Sequence, residues 1–291
     1  MSEASAKASG LICWSGPVDP KPLTGGITNT NFVVEDAGRK FVVRIGDDIP
    51  VHGVLRFNEL AASKAAFAAG VSPKVIHHEA GVLVINFIEG KTLDAADVRE
   101  PETLDQIIKI IRRIHHDIPT LLEGPSLVFW VFQVLRDYRR TLKAGESRML
   151  EALPRLEKVS KELEEAAGPV KLVFGHNDLL AANFLDDGSR LWIIDWDYAG
   201  FNSPLFDLAN LASNNDFGTD LERYLLEKYF RSAPDDILWR SYSAMKCASL
   251  LRETMWSMVS EIHSKLNFDY IEYTTQNLER FEQSYESFKG L

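Results

Sequence analysis

The sequence predicts an α+β fold with two lobes, a small strand-rich lobe followed by a larger, mainly helical one. Strand patterns dominate the start of the 291-residue chain, and the last strong one, VLVINFI at residues 82–88, stops at Glu89-Gly90. Helical periodicity dominates afterwards. We therefore predict a disordered N-terminus at 1–10, because it is small and polar, an N-terminal lobe at 11–88 and a C-terminal lobe at 89–291.

Composition excludes several functional classes. Hydrophobic residues make up 45% of the chain and charged residues 25%, which is typical of a soluble globular protein. The formal net charge of −10 argues against nucleic-acid binding, because a phosphate backbone would be repelled. Two cysteines are too few for a disulfide framework and favour the reducing cytoplasm. Without a long apolar run or an apolar signal core we expect no membrane insertion, and a homodimer is compatible with the sequence.

The first hairpin carries a candidate phosphate loop. LTGGITNTNFVV at residues 23–34 and KFVVRI at residues 40–45 have the branched residues and turn chemistry of paired strands. Gly25-Gly26 precedes Asn29, and backbone amides beside glycine can approach a phosphate closely. The same glycine pair would equally suit a plain turn between strands.

Arg44 places a charge inside an otherwise apolar strand. Residues 56–69 form a predicted helix closed by Gly70, with Glu59 in its first turns. In a kinase-like lobe such an arginine would bind nucleotide phosphates and pair with the helix glutamate. The alternative is an ordinary strand residue that points into solvent.

The polar segment FGHNDLLAANFLDDGSRLWIIDWDY, residues 174–198, concentrates the chemistry of the chain. Asp178 stands five residues before Asn183, and Asp195 ends the strand that follows a predicted hairpin. Phosphoryl transfer needs a carboxylate to accept the hydroxyl proton, together with carboxylate and amide oxygens that hold Mg²⁺ on ATP. The ordered set favours this chemistry over a surface turn in which the same residues act as caps.

The helical lobe offers weaker signals. Thr103 and Gln106 match a capping box, and an isoleucine stripe follows at helical spacing. Adjacent His115 and His116 point in different directions on a helix, which favours core or surface histidines over a metal site. Near the C-terminus Glu253 and Trp256, spaced i, i+3, share a helix face. Spacing alone favours a core position for Trp256.

Several passages together resemble a known family. They are GGITNTNF, FVVRIGDD, GHNDLLAAN, IDWDYAGFNSPLFDLAN and MWSMVSEIHSKLNFDYIEY. In this order they are similar to a bacterial member of the choline/ethanolamine kinase family, over most of residues 23–285. That family belongs to the aminoglycoside-phosphotransferase-like group, whose fold is protein-kinase-like. The catalytic segment alone resembles the wider group, and the segment from Trp256 to the FDY motif narrows the resemblance to the choline/ethanolamine kinases.

The resemblance implies roles for particular residues. It implies a catalytic role for Asp178 as the base, with Asn183 beside it, and makes Asn183 and Asp195 the Mg²⁺ ligands. The implied ATP-binding residues are the glycine loop, the following asparagine, the strand arginine with its glutamate, and the adenine hinge: Gly25, Gly26, Asn29, Arg44, Glu59, Asn86, Phe87 and Ile88. Trp256 matches one wall of the family's cation-binding aromatic pocket, and we expect the other substrate-binding residues to complete that pocket: Asp197, Tyr198, Glu253 and Tyr270.

Two departures from the family pattern affect the expected substrate. Glu253 stands where eukaryotic choline kinases tend to carry a second tryptophan, and Asn214 stands where they tend to carry a glutamate. The expected activity is ATP-dependent phosphorylation of a small cationic amino alcohol, choline first and ethanolamine second. Thiamine and aminoglycosides stay open as substrates. A catalytically inactive nucleotide-binding module or a scaffold would not need the intact Asp178, Asn183 and Asp195.

Overall fold

The computed structural model describes residues 2–23, 29–264, 266 and 268–291. The strands, in chain order, are β1 Lys21–Leu23, β2 Thr30–Asp36, β3 Arg39–Ile45, β4 Val75–Glu79, β5 Val82–Asn86, β6 Lys91–Thr92, β7 Val173–Gly175, β8 Phe184–Asp186, β9 Leu191–Ile193 and β10 Gly200–Asn202. The helices are α1 Glu3–Ser9, α2 Arg56–Ala68, α3 Ala95–Arg99, α4 Pro101–His116, α5 Val131–Ala144, α6 Leu153–Ala167, α7 Pro204–Asn214, α8 Thr219–Phe230, α9 Asp236–His263 and α10 Tyr270–Lys289.

The first five strands form one antiparallel sheet in the order β1-β2-β3-β5-β4. Because side chains alternate across a strand, β3 buries Phe41 and Val43 on one face and turns Arg44 to the other. Arg44 lies opposite Asn31 on β2 and Leu83 on β5. The central position of β3 therefore holds Arg44 in a fixed place beside α2.

The N-terminal residues form helix α1, although their composition predicts disorder. Ala8 is fully buried in the same apolar cluster as Phe41, and Trp14 donates its indole N–H to the Ala8 carbonyl at 2.9 Å. Ser2 caps the helix by accepting from the Ser5 amide. Packing against the outer face of the sheet thus orders a segment whose own sequence has little apolar surface.

The helical lobe is arranged around α9. This 28-residue helix packs against α5, α6, α7 and α10, and it buries most of its residues from Tyr242 to Ser260. The larger core also includes Ala62, Ala65 and Ala66 of α2. Small residues on α2 let it pack closely against the helical lobe, so this helix joins the sheet to the rest of the protein.

Two local predictions for the helical lobe have different outcomes. The isoleucine stripe of α4 is buried as expected. The capping box at Thr103 and Gln106 is wrong, because α4 begins at Pro101 and both residues lie inside the helix. A reciprocal capping box occurs instead at Asp94 and Asp97, at the start of α3. Among the described residues no helix is long and apolar enough to cross a membrane.

Candidate active site

The loop after β7 carries Asp178, and Asp207 of α7 holds the backbone of this loop. Asp207 accepts the backbone N–H of His176 at 2.9 Å and that of Asn177 at 2.7 Å. His115 adds a third bond to the same carboxylate at 3.0 Å. Burial alone would raise the pKa of Asp207, but these donors hold it below the ordinary value. The carboxylate is therefore ionised and fixes the loop backbone.

Asn177 gives the loop its sharp bend. Its φ of +64° lies in the left-handed region, where a non-glycine residue needs support from its surroundings. The side-chain amide supplies that support by donating to the carbonyls of Tyr198 at 2.9 Å and Gly200 at 3.2 Å. Gly175 leaves the necessary space, because a Cβ there would lie 2.7 Å from Asn177 Oδ1. The bend presents the next residue, Asp178, to the cleft.

Asp178 and Asn183 are brought together as the sequence predicts. The Asn183 side-chain N–H₂ donates to the Asp178 carbonyl at 2.9 Å, and the Asn183 carbonyl accepts the Ile194 amide at 3.0 Å. Burial raises the pKa of Asp178 to about 8, opposed by Arg252 and reinforced by Glu253. A carboxylate with this pKa is well suited to exchange a proton near neutral pH.

Asp195 directly follows Ile194 and has a φ of +69°, a second left-handed position at the same site. Its Oδ1 lies 3.4 Å from Arg44 Nη1 and is buried, yet it accepts no hydrogen bond within the described part of the chain. Carboxylate oxygens with unused acceptor capacity are the kind of ligand that Mg²⁺ prefers, and the backbone bond from Ile194 to Asn183 brings the two segments together. No cluster of three or more His, Cys, Asp or Glu suited to a metal occurs among the described residues, so the set of candidate ligands is small.

Arg44 and Glu59 form the ion pair that the sequence predicts, with Arg44 Nη1 2.6 Å from Glu59 Oε1. Arg44 Nη2 also contacts Asp197. Arg56, at the first position of α2, joins the same cluster, since its Nη1 lies 2.7 Å from both Glu59 Oε2 and Asp197 Oδ1. Although burial lowers the pKa of Arg44, the surrounding carboxylates, Asp195 first, raise it above the ordinary value.

Asp197 therefore lies elsewhere than the sequence predicts. The carboxylate was expected in the cation pocket, but Arg44 and Arg56 both bind it, and Asn29 Nδ2 lies 3.4 Å from its Oδ2. The reason is electrostatic: a carboxylate this deeply buried needs charged or hydrogen-bonded partners, and the two arginines of the first lobe supply them. Asp197 thus connects the sheet and α2 to the loop that carries Asp195.

Most of the residues predicted to bind a cation cluster around Trp256 on α9. Its indole N–H donates to Tyr198 Oη at 2.9 Å. The rings of Tyr270 and Tyr273 lie 6.1 and 6.4 Å from it, centroid to centroid. The structure thus brings Tyr198, Trp256 and Tyr270 together, and it adds Tyr273, which the sequence reasoning placed only in the same motif.

Glu253 lies on the same side of α9 and has two partners. Tyr273 Oη donates to Glu253 Oε1 at 2.8 Å, and Arg252 Nη1 lies 2.9 Å from Oε2. Its side chain remains 20% exposed, more than that of Arg252 at 3%. The carboxylate is thus the more accessible group of this ion pair, and it can accept hydrogen bonds from a ligand.

The predicted hinge lies at the end of β5. The amides of Asn86 and Phe87 donate to the carbonyls of Lys74 and Lys40. In the described part of the chain no backbone carbonyl accepts the amide of Ile88. The predicted phosphate loop, Gly25 and Gly26, falls outside the described residues. Asn29, just after it, accepts from Arg56 Nη2 at 2.6 Å.

Comparison with known proteins identifies the family. The family model for choline/ethanolamine kinase matches residues 21–224. The chain belongs to the choline/ethanolamine kinase family. Among its relatives, the protein LicA of Haemophilus influenzae is 28% identical over 256 residues, covering 84% of this chain and 94% of that protein. A probable ethanolamine kinase of Arabidopsis thaliana is 29% identical over 286 residues, covering 86% and 75%.

A solved structure supports the same conclusion. The choline/ethanolamine kinase family protein of Mesorhizobium loti is 27% identical, covers 97% of this chain and 93% of that one, and superposes with a TM-score of 0.76. The predicted protein-kinase-like fold, with its antiparallel N-terminal sheet and helical lobe, is thereby confirmed. The resemblance read from the sequence motifs is confirmed as well.

Sequence reasoning missed three residues of this kinase-family site. His52 stacks on Trp256 with ring centroids 5.0 Å apart and planes at 30°. Arg252 lies over the Tyr198 ring at 4.3 Å, and Arg56 binds Asp197. No motif marks His52, which meets the indole only through tertiary packing. Arg252 could have been noticed as a charge on the apolar face that also carries Trp256, one helical turn away.

Proposed function

We propose that the protein transfers the γ-phosphoryl group of ATP to the hydroxyl of a small cationic amino alcohol, choline or ethanolamine. The observation that carries this proposal is the position of Asp178. It lies in a loop fixed by Asp207, bonded through its carbonyl to Asn183, and electrostatically linked to Glu253 on the pocket wall. The loop therefore joins a phosphate-binding side to a cation-binding side.

Asp178 would act on the hydroxyl of the acceptor. Its carboxylate would orient the hydroxyl and take its proton, while the oxygen forms a bond to the γ-phosphorus and the bond from that phosphorus to ADP breaks. A pKa raised to about 8 makes the carboxylate a stronger base than an ordinary aspartate. The rigid loop contributes by holding the acceptor in line, which lowers the entropic barrier.

Asn183 and Asp195 would hold Mg²⁺. The free acceptor capacity of Asp195 Oδ1 fits a cation, and the Asn183 amide is fixed by its bond to the Asp178 carbonyl. Mg²⁺ bound there would neutralise charge on the ATP phosphates and on the transferring group. The left-handed φ of Asp195 supports this role, because such strain is commonly kept where a side chain must be aimed.

Arg44 would bind the ATP phosphates, and the backbone at Ile88 would receive the adenine. The guanidinium is held by Glu59 and Asp197, so its position is set before the nucleotide arrives. This preorganisation reduces the entropic cost of binding. Gly25, Gly26 and Asn29 would cover the phosphates in this proposal, with 11–88 as the nucleotide-binding lobe and 89–291 as the lobe for catalysis and the acceptor.

The acceptor cation would lie against Trp256, Tyr270 and Tyr273, with Glu253 as its counter-ion. Aromatic faces attract ammonium groups by about 0.5–2 kcal/mol. The Glu253 carboxylate adds an ordinary charge attraction and accepts hydrogen bonds, which a primary ammonium can donate and a quaternary one cannot. The proposed small-molecule partners are ATP and a cationic alcohol. The proposed location is the cytoplasm, and the proposed assembly is a homodimer.

An ATP-consumption assay tests the proposal. We expect Mg²⁺-dependent turnover with choline and ethanolamine, and much less with thiamine, kanamycin or the uncharged 3,3-dimethylbutanol. Turnover of the uncharged alcohol at the rate of choline would contradict the cation pocket. ATP consumption only with kanamycin or thiamine would reassign the acceptor while retaining the phosphotransfer site.

A further inference from the structure

Arg252 is a buried cation inside the pocket that the proposed function assigns to a cationic acceptor. It is buried, and its Nη1 pairs with Glu253 at 2.9 Å. Its Nε and Nη2 are also buried and make no hydrogen bond of good geometry in the described part of the chain, although the guanidinium interacts with the Tyr138 side chain and opposes the rise that burial causes in the pKa of Tyr138. Leaving a buried donor unpaired costs about 1–3 kcal/mol, and more on a charged group. Two such donors on one guanidinium therefore need an explanation.

The position of Arg252 places these donors near the reacting centre. The guanidinium lies 4.3 Å from the Tyr198 ring, and the Tyr198 carbonyl accepts from Asn177, the residue before Asp178. One turn further along α9 is Trp256, which also bonds Tyr198. Arg252 is also the positive charge that most lowers the raised pKa of Asp178. The guanidinium thus lies between the aromatic wall and the catalytic loop.

The contacts of Arg252 also affect which kinds of acceptor the pocket can bind. The guanidinium occupies a face of Tyr198, and His52 covers a face of Trp256, so protein groups already fill two aromatic faces. Glu253 already accepts from Tyr273 and Arg252. A bare cation would find Glu253 and the remaining aromatic faces but would leave Nε and Nη2 of Arg252 without an acceptor, whereas an acceptor or product with an anionic oxygen would also satisfy those donors.

We propose that Nε and Nη2 of Arg252 form an oxyanion-binding subsite in the acceptor pocket, which takes a carboxylate or phosphate oxygen attached to the amino alcohol. The inference rests on the proposed acceptor site. Two molecules offer this chemistry: a zwitterionic hydroxy amino acid such as L-serine, through its carboxylate, and the phosphorylated product, through its new phosphate. Arginine suits both, because its planar fork matches two oxygens at once.

Direct binding tests the subsite without requiring turnover. The dissociation constants of O-phosphoethanolamine, L-serine and ethanolamine are measured by calorimetry for the wild type, Arg252→Lys and Arg252→Met. The matched control is Arg240→Met, because Arg240 is an exposed arginine on the same helix that lies over Phe288. Thermal unfolding and ATP binding of each variant show whether the fold is retained.

We expect both Arg252 variants to weaken binding of an anionic ligand by about tenfold or more, with ethanolamine weakened less, since a lost bond to a charged group is worth roughly one decade or more. Loss confined to O-phosphoethanolamine assigns the subsite to the product, and loss confined to L-serine assigns it to the acceptor carboxylate. If neither ligand binds the wild type, or if Arg252→Lys binds both as tightly as the wild type, the subsite is overturned.

The two proposals fail separately. Ethanolamine turnover without any effect of Arg252 on the anionic ligands would remove the subsite and leave the proposed function. Binding of L-serine through Arg252 without turnover of choline or ethanolamine would retain the subsite and remove the proposed acceptors. Arg252→Lys keeps the positive charge that pairs with Glu253 but loses the planar pair of guanidinium donors. It therefore distinguishes the loss of oxyanion binding from a general destabilisation of the pocket.

Discussion

The carboxylate of Asp207 accepts the backbone N–H of Asn177 at 2.7 Å, one residue before Asp178. The same carboxylate binds His115 and the His176 amide. A side chain from α7 thus sets the backbone of a loop that is 30 residues away in sequence. The position of Asp178 therefore depends on a buried carboxylate that belongs to a different helix.

Asp207→Asn should lower turnover while leaving the apparent KM for ATP nearly unchanged. An amide cannot accept from three donors as a carboxylate does, so the loop loses part of its support. Breaking one buried bond to a charged group should also reduce the free energy of unfolding by about 1.5–3 kcal/mol. Steady-state kinetics and urea denaturation measure both effects. Asp220→Asn, at an exposed position early in α8, is the control; equal behaviour of the two variants would contradict the role of Asp207.

The pH profile should report Asp178. Because its pKa is raised to about 8 in the folded protein, kcat/KM should rise with pH through that region as the carboxylate loses its proton.

The raised pKa of Asp178 should also make stability depend on pH, in the opposite direction. The folded state binds more protons than the unfolded state between about pH 4 and 8, so the free energy of unfolding should fall as pH rises there. Asp178→Asn should remove this fall. Identical slopes in urea denaturation of both proteins would contradict the raised pKa.

Arg44→Ala should raise the apparent KM for ATP far more than the KM for the alcohol. Arg44→Lys should recover only part of the loss, because a point charge cannot keep the contacts with Glu59 and Asp197 and also bind a phosphate. Arg39→Ala, at the exposed start of the same strand, is the matched control. If the apparent KM for ATP is unchanged in Arg44→Ala, Arg44 does not bind the ATP phosphates.

Trp256→Ala should weaken acceptor binding by roughly tenfold, the 1.4 kcal/mol of a mid-range cation–π interaction. Since Trp256 is buried, Trp256→Phe keeps most of the packing and separates binding from stability. Trp239→Ala on the same helix is the control.

Glu253→Gln should weaken the binding of ethanolamine more than that of choline, because only the primary ammonium donates hydrogen bonds to the carboxylate. Equal losses for both alcohols would contradict that specificity.

Local sequence patterns predict the lobes, the catalytic loop and the Arg44–Glu59 contact, because each depends on periodicity or on a short motif. The remaining features depend on distant packing. The helix at residues 3–9 is ordered by the sheet beside it, and His52 reaches Trp256 from a segment about 200 residues earlier in the chain. Asp197 belongs to the arginine cluster because burial demands a counter-charge, which no local spacing reveals.

We propose that Asp178 accepts the proton of the acceptor hydroxyl. The most direct test is the Mg²⁺-dependent formation of phosphorylated ethanolamine by Asp178→Asn, measured beside the wild type at saturating ATP. We expect a loss in kcat of about 10²–10⁴-fold, with unchanged binding of ATP and a folded protein. Turnover close to the wild-type rate would contradict the proposal.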